Sequence, residues 1–337
     1  MNKNNKIYKF LRFFYRLIKK IFNNIKISFS YFRKYDLIEK EHLKHFGSKY
    51  PDKIFYVIRR KPPGAGLLSN FHWVMNHVIY AIEKGYIPVV NMENYKTYFN
   101  ENCPIETSNG KTINAWEYYF EQPCGYSISD IKKSKNVILS DLNKYSIVKP
   151  LELYNDNKTI MQKYNNIITN YLKFNKNIIK HFIEAKDNLF KNKNNILGVL
   201  YRGTDMKTAQ LHYTPPSLEE TTKKTLQIFN DENFSYIFIR TEEQEAIDSF
   251  YKVFDKNIII LSNINRFQNY NTGEIADLNQ KNSISAYNEG LDYLTEIYFL
   301  SQCDGIIASK VNGTNLALGL NNNKYRYIHI FDLGINN

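Results

Sequence analysis

The feature that most constrains this chain is the alternation that begins at Ile196. Short apolar runs at Ile196–Tyr201, Tyr236–Ile239, Ile258–Leu261, Gly305–Ala308 and Tyr327–Phe331 are separated by stretches of helical rhythm at Leu218–Phe229, Glu243–Phe254 and Gly290–Gln302, with a short helix near Asn315–Leu320. Strands this short and this uniformly apolar are buried on both faces, so the pattern predicts a mostly parallel sheet covered by helices. An earlier unit repeats the logic: strand Ile54–Ile58, Pro-Pro-Gly-Ala-Gly at 62–66, a helix over Leu68–Lys84, strand Tyr86–Val90 and a further strand at Val137–Leu139. Residues 92–134 read as loop-rich and aromatic, and 153–190 as polar helices linking two halves. The expected fold class is α/β with two Rossmann-like domains: an arm over 1–50, an N-terminal α/β domain with helical linker over 51–190, and a C-terminal domain over 191–337. In such an architecture ligands sit at the carboxyl ends of the strands, in a cleft.

The arm is distinctive. Ten of the 45 Lys and Arg residues fall in residues 1–34, which carry no Asp or Glu; the remaining basic residues nearly balance the 33 acidic ones. The net charge of +12 is therefore local, and a spread phosphate-tracking surface for nucleic acid is not indicated. Ile7, Phe10, Leu11, Phe14, Leu17, Ile18, Ile21, Phe22 and Ile25 recur at helical spacing with basic residues between them. No stretch is apolar enough to span a bilayer, and the basic residues run through the apolar part, unlike a signal peptide. Such a helix suits an anionic membrane surface or packing on the protein's own body or a second subunit. Cys103, Cys124 and Cys303 have no metal or disulfide spacing, which fits a reducing compartment.

Three segments carry candidate chemistry. Gly-Val-Leu-Tyr-Arg-Gly-Thr-Asp at 198–205 runs a buried strand into Arg202, Gly203, Thr204 and Asp205. The planar guanidinium of Arg202 can hold two phosphate oxygens, Gly203 permits close backbone approach, and Asp205 can steady the guanidinium or take a proton. A strand-end ion pair without a ligand fits the same residues. Thr241-Glu242-Glu243 follows the next strand; the acids suit a hydroxyl-binding or general-base site, and equally a helix cap with dipole-complementing carboxylates. Ser309-Lys310-Val311-Asn312-Gly313-Thr314-Asn315 lies between a strand and a short helix, as an anion cradle or as loop and cap chemistry. In the first half, Gly64 and Gly66 lie where backbone amides approach a ligand or where the chain makes a plain turn.

No Asp-x-Asp occurs, so no such pair holds a divalent ion on a diphosphate; arginine, lysine and helix amides would stabilise that leaving group instead. No P-loop, Gly-x-Ser-x-Gly elbow or His-Glu-x-x-His is present, and the seven histidines show no metal spacing.

Taken in order, these segments resemble the α1,6-fucosyltransferase family of core and nodulation fucosyltransferases. Arg-Gly-Thr-Asp at 202–205 is similar to its His-x-Arg-Arg-Thr-Asp motif. Thr241-Glu242-Glu243 stands where the family has Thr-Asp-Asp, and Glu296–Asp304 resembles a family segment with an acid, Phe-Leu-Ser-Gln and Ala-Asp. Gly64–His77 and Ala115–Pro123 are similar to its glycine turn and its Trp-Glu-x-x-Phe-x-x-Pro-like stretch. The likeness covers roughly residues 52–333. It implies a GT-B-like transferase that is inverting and metal-independent, with GDP-fucose as donor bound by the C-terminal half and no cofactor. Carried over, Arg202 would hold the phosphates with Asp205 in support, Glu296 would contact guanine, Asn312 would lie where the family has a phosphate-binding serine, and Glu242 and Glu243 would be the acidic pair needed for activity; Gly203, Thr204, Ser309 and Gly66 are the further candidates for binding the nucleotide-sugar. The departures are Leu200 for the leading His, Gly203 for the second Arg, and Gln210 near a glutamate proposed as base. The base is left among Glu242, Glu243, Asp205 and His212.

The expected function is transfer of fucose from GDP-fucose to a bacterial surface glycan. Localisation is expected to be cytoplasmic, peripheral on the cytoplasmic face of the membrane. Its alternatives are a transferase using another nucleotide-sugar and a non-catalytic membrane-associated binding protein. The expected partners are the nucleotide-sugar, a glycan acceptor and an anionic membrane surface through residues 1–34.

Overall fold

The computed structural model describes residues 39–60, 66–93, 104–142, 158–207, 212–263, 266 and 286–336. The basic arm and Gln210 lie outside the described residues, as do the side chains of Thr204 and Asp205.

The first sheet contains β1 (His42–Lys44), β2 (Lys49–Ile58), β3 (Ile87–Val90) and β6 (Ser134–Leu139), in the order β1-β6-β2-β3. Strands β2, β3 and β6 are parallel and β1 joins the edge antiparallel to β6, an addition that the sequence pattern does not announce. Helix α1 (Leu67–Glu83) connects β2 to β3. The aromatic stretch after β3 holds a small hairpin, β4 (Ile105–Thr107) with β5 (Gly110–Thr112), and a one-turn helix α2 (Ile128–Ile131) closed by a Ser127–Asp130 capping box. Two helices, α3 (Lys158–Tyr171) and α4 (Lys176–Leu189), lead into the second half.

The second sheet contains β7 (Ile196–Leu200), β8 (Tyr236–Arg240), β9 (Ile259–Ile260), β10 (Gly305–Ser309) and β11 (Tyr327–Phe331), all parallel. Its order is β11-β10-β7-β8-β9. Counted from β7, that is the 3-2-1-4-5 order of a doubly wound sheet, in which the chain reverses direction between β7 and β10. The connecting helices are α5 (Leu218–Asp231), α6 (Gln244–Tyr251), α7 (Ala286–Ser301) and α8 (Asn312–Asn321). Ile-Leu-Gly-Val-Leu and Gly-Ile-Ile-Ala-Ser are buried along their whole length, as strands covered on both faces require. Helix α5 starts on a Ser217–Glu220 capping box, and α8 ends at Asn322 in the left-handed region. Two parallel-sheet α/β halves are thus present, as the strand pattern led one to expect.

One apolar cluster runs through both halves, from Tyr56, Phe71 and Trp116 to Leu300, Leu316 and Tyr325. Helix α8 packs on α3: a side chain at Gly319 would meet Ile168 and Tyr164 at 3.0 Å. The Ala115–Pro123 stretch is a second tie. Tyr119 donates its hydroxyl to the Tyr287 carbonyl at 2.9 Å, and the two rings stack with centroids 5.4 Å apart.

Candidate active site

At a strand-order reversal, the segments leaving two neighbouring strands diverge to opposite sides of the sheet and leave a crevice. The segments flanking that reversal in the second sheet are Tyr201–Lys207 after β7 and Lys310–Val311 before α8. They overlap two of the three segments singled out from sequence, 198–205 and 309–315.

Helix α8 begins close to the end of β7. A side chain at Gly313 would meet Ile297 Cδ1 at 3.0 Å and Leu200 Cδ2 at 3.5 Å, so a small residue lets the helix start sit down beside the strand that leads to Arg202. The N-cap, Val311, offers no capping side chain, which leaves the first-turn amides and the positive end of the helix dipole without that partner. Ser309 and Asn315 are buried, and Ser309 Oγ and Asn315 Oδ1 have no hydrogen-bond partner among the described residues. Thr314 instead donates its hydroxyl to the Ser309 carbonyl at 2.6 Å, and Lys310 pairs with Asp332 at 2.5 Å. Asn312 is the first residue of α8.

The loop that carries Arg202 is fixed from two sides. Tyr201 N–H donates to the Arg240 carbonyl at 3.0 Å, and a 3-10 turn follows over Thr204–Lys207. The chain's last described residues return to it: Asn336 Nδ2 donates to the Met206 carbonyl at 2.9 Å, Asn336 N–H to the His212 carbonyl at 2.9 Å, and Tyr213 bridges to Ile335. His212 itself is exposed.

Glu242 and Glu243 have separate partners. Glu242 Oε1 accepts from Arg202 Nη1 at 3.3 Å and from Arg240 Nη2 at 2.5 Å. Burial would raise the Glu242 pKa, but the two guanidinium groups outweigh it and hold the carboxyl below its ordinary range. Glu243 is buried, its carboxylate taking both contacts of Lys207 Nζ at 2.8 and 3.0 Å, while its amide donates to Thr241 Oγ1 at 3.1 Å. Thr241 therefore makes a local turn bond but does not cap α6, whose N-cap is Glu243 with no side-chain capping bond. The sequence-derived acids are brought to one place, but each already faces a cation.

Glu296 lies deeper, only 2 % exposed. Its Oε2 faces Arg240 Nε at 3.3 Å and its Oε1 accepts from the Ser262 hydroxyl. Burial raises its pKa, against the pull of Arg240 and Ser262. Gly66 is the N-cap of α1, with open space where a side chain would stand.

Arg240 is the residue that motif reading passes over. It is the last residue of β8, paired in register with Leu200, 3 % exposed, with the ring of Tyr293 4.7 Å from its guanidinium carbon. Burial works against its charge, but Glu242 and Glu296 outweigh it and raise its pKa. The rule that drew attention to Arg202, a guanidinium at the carboxyl end of an apolar strand, applies equally to Ile-Phe-Ile-Arg at 237–240.

Among the described residues no three His, Cys, Asp or Glu side chains gather as a metal site, and no helix is long and apolar enough to cross a membrane. A shallow groove lined by Glu41, Leu43, Ile54 and Ile138 lies on the first sheet. Chemically, the segments that leave the strands around the reversal carry a partly exposed guanidinium, an uncapped helix start and a buried hydroxyl with no partner among the described residues, a donor-rich set suited to a polyanion.

Among solved structures, the chain is similar to NodZ alpha-1,6-fucosyltransferase soaked with GDP-fucose, at 15 % identity and a TM-score of 0.47 over 83 % of this chain and 96 % of that one. It is also similar to fucosyltransferase NodZ from Bradyrhizobium, at 14 % and 0.42 over 79 % and 92 %. With POFUT1 in complex with GDP-fucose the figures are 10 % and 0.33 over 52 % and 49 %. No sequence-family model matches the chain, and no curated protein does.

Proposed function

We propose that this chain is an inverting, metal-independent glycosyltransferase that moves fucose from GDP-fucose to a glycan hydroxyl. The observation that carries the proposal is that Arg202, just beyond β7, and the uncapped start of α8 lie on the two segments that flank the strand-order reversal, with the buried Ser309 hydroxyl at the end of β10. In such a transfer the anomeric carbon gains oxocarbenium character while negative charge grows on the departing diphosphate. Donors already aimed at that charge lower the barrier without reorganisation, and one such donor is worth on the order of 3–4 kcal/mol.

In this reading Arg202 takes the diphosphate oxygens in bidentate fashion, the first amides of α8 at Asn312 and Gly313 and the Ser309 hydroxyl take the remainder, and Gly203 and Thr204 let the backbone approach. Glu242 anchors the guanidinium pair, so proton removal from the acceptor falls to Glu243, Asp205 or His212. A pH–rate profile for each substituted carboxylate or imidazole assigns it. Glu296 acts on the site through Arg240 and Ser262.

A thermal-shift screen with GDP-fucose, GDP-mannose, UDP-sugars and dTDP-sugars tests the proposal, because only a bound donor raises the melting temperature. The proposal requires a shift with GDP-fucose and GDP; a flat response to every nucleotide-sugar excludes it. A second reading, another nucleotide-sugar on the same scaffold, is favoured by Leu200, which is buried beside Gly313 where the resembling family has a guanine-contacting His. A shift with a different sugar nucleotide and none with GDP selects it.

The basic amphipathic pattern of residues 1–34 supports placing the protein on the cytoplasmic face of a membrane, with the acceptor glycan assembled there. Flotation with anionic liposomes, with and without those residues, tests the placement; equal flotation defeats it.

A further inference from the structure

The two guanidinium groups beside Glu242 are not equivalent. Arg240 holds Glu242 Oε1 at 2.5 Å and Arg202 reaches the same oxygen at 3.3 Å. The Arg240 side chain is 3 % exposed and packed between Glu296 and Tyr293, whereas that of Arg202 is 19 % exposed. A single carboxylate charge is therefore shared by two cations, and the buried one has the closer grip. Attraction falls with distance and with effective dielectric, so the drier and shorter contact takes the larger share. Glu242 Oε2 has no hydrogen-bond partner among the described residues, so nothing else there competes with the guanidinium groups for this carboxylate.

Resting on the nucleotide-sugar reading, we infer that Arg240 is a positioning residue that ties down Glu242, leaving the charge of Arg202 to hold the diphosphate. It touches no ligand. With Arg240 in place, a diphosphate that draws Arg202 away opens the longer of the two contacts to Glu242, and Glu242 stays neutralised when that contact opens. Without Arg240, the whole Glu242 charge falls on Arg202 and competes directly with the ligand.

The test is calorimetric titration of the full chain with GDP. Removing Arg240 alone would strand Glu296 as a buried charge, so the series starts from Glu296→Gln. Relative to that variant, Arg240→Met with Glu296→Gln is expected to bind GDP about tenfold more weakly, as the competing carboxylate closes on Arg202. Adding Glu242→Gln to that pair is expected to restore affinity to within about threefold, because a neutral amide no longer competes. A purely structural Arg240 gives no such recovery. Equal affinity for the first two variants, or no recovery in the third, overturns the inference. Arg240→Lys in the otherwise unchanged chain is an independent check on a protein that keeps its buried charge balance. It should bind GDP within about threefold of the unchanged chain, and a loss of tenfold or more counts against the inference. An unchanged chain that binds no GDP overturns the nucleotide-sugar reading itself, a result distinct from any pattern among the variants.

Discussion

Gly203 lies directly against Glu243: a methyl group at Gly203 would run into the Glu243 carboxylate. The loop after β7 and the loop after β8 therefore touch through a residue with no side chain, immediately after the arginine on which the site depends. The same carboxylate is paired with Lys207 Nζ at 2.8 Å.

Gly203→Ala should lower stability by about 1–3 kcal/mol, since the added carbon must displace a buried carboxylate from its cation. Urea unfolding measures it. The Gly203→Ala/Glu243→Ala pair should show coupling, costing less than the sum of the two single changes; strict additivity would mean that the contact does not matter.

Ser309 separates binding from stability. Its hydroxyl is buried with no partner among the described residues, so Ser309→Ala removes an uncompensated polar atom and should leave the melting temperature unchanged or slightly higher. If the hydroxyl serves the diphosphate, GDP affinity in the same variant should fall about tenfold, or 1.4 kcal/mol. A loss of stability with unchanged affinity would make Ser309 a packing residue only.

His72, in α1, gives a pH signature. Burial lowers its pKa from the ordinary 6.5 to about 4. A histidine held neutral in the fold contributes stability that is full above the unfolded value and is lost as pH falls through the folded one. The window is therefore about pH 6.5 down to about 4, and the contribution is roughly 3 kcal/mol. His72→Leu should be as stable as the unchanged chain near pH 7 and lose less than it does at pH 4. Parallel stability curves across that range would show that His72 does not titrate between the two states.

Much of the framework was legible in the residues because buried parallel strands are apolar throughout. The runs Ile-Leu-Gly-Val-Leu and Gly-Ile-Ile-Ala-Ser declare themselves, and β7, β10 and β11 begin and end within a residue of the sequence reading. Strand β1 was not legible: the three residues of His-Leu-Lys are too few for their alternation to stand out, and the strand forms by pairing with the edge of β6. The candidate site was half legible. Arg202 and the Ser309–Asn315 loop stand out because they follow strands. The partnership of Arg240 with Glu242 and Glu296 did not, because it depends on sheet register and on a helix that arrives about fifty residues later. Spacing along the chain says which residues leave a strand; it does not say which carboxylate each one meets.

The central claim is that the guanidinium of Arg202 holds a sugar-linked diphosphate beside the start of α8. It is tested most directly by titrating the purified chain and its Arg202→Ala variant with GDP-fucose and following sugar release in parallel. The unchanged chain should bind and turn over GDP-fucose. Arg202→Ala should remain cooperatively folded and lose at least about a hundredfold in turnover, the scale expected when one preorganised donor to a departing anion is removed. A folded Arg202→Ala variant with undiminished binding and turnover would contradict the account.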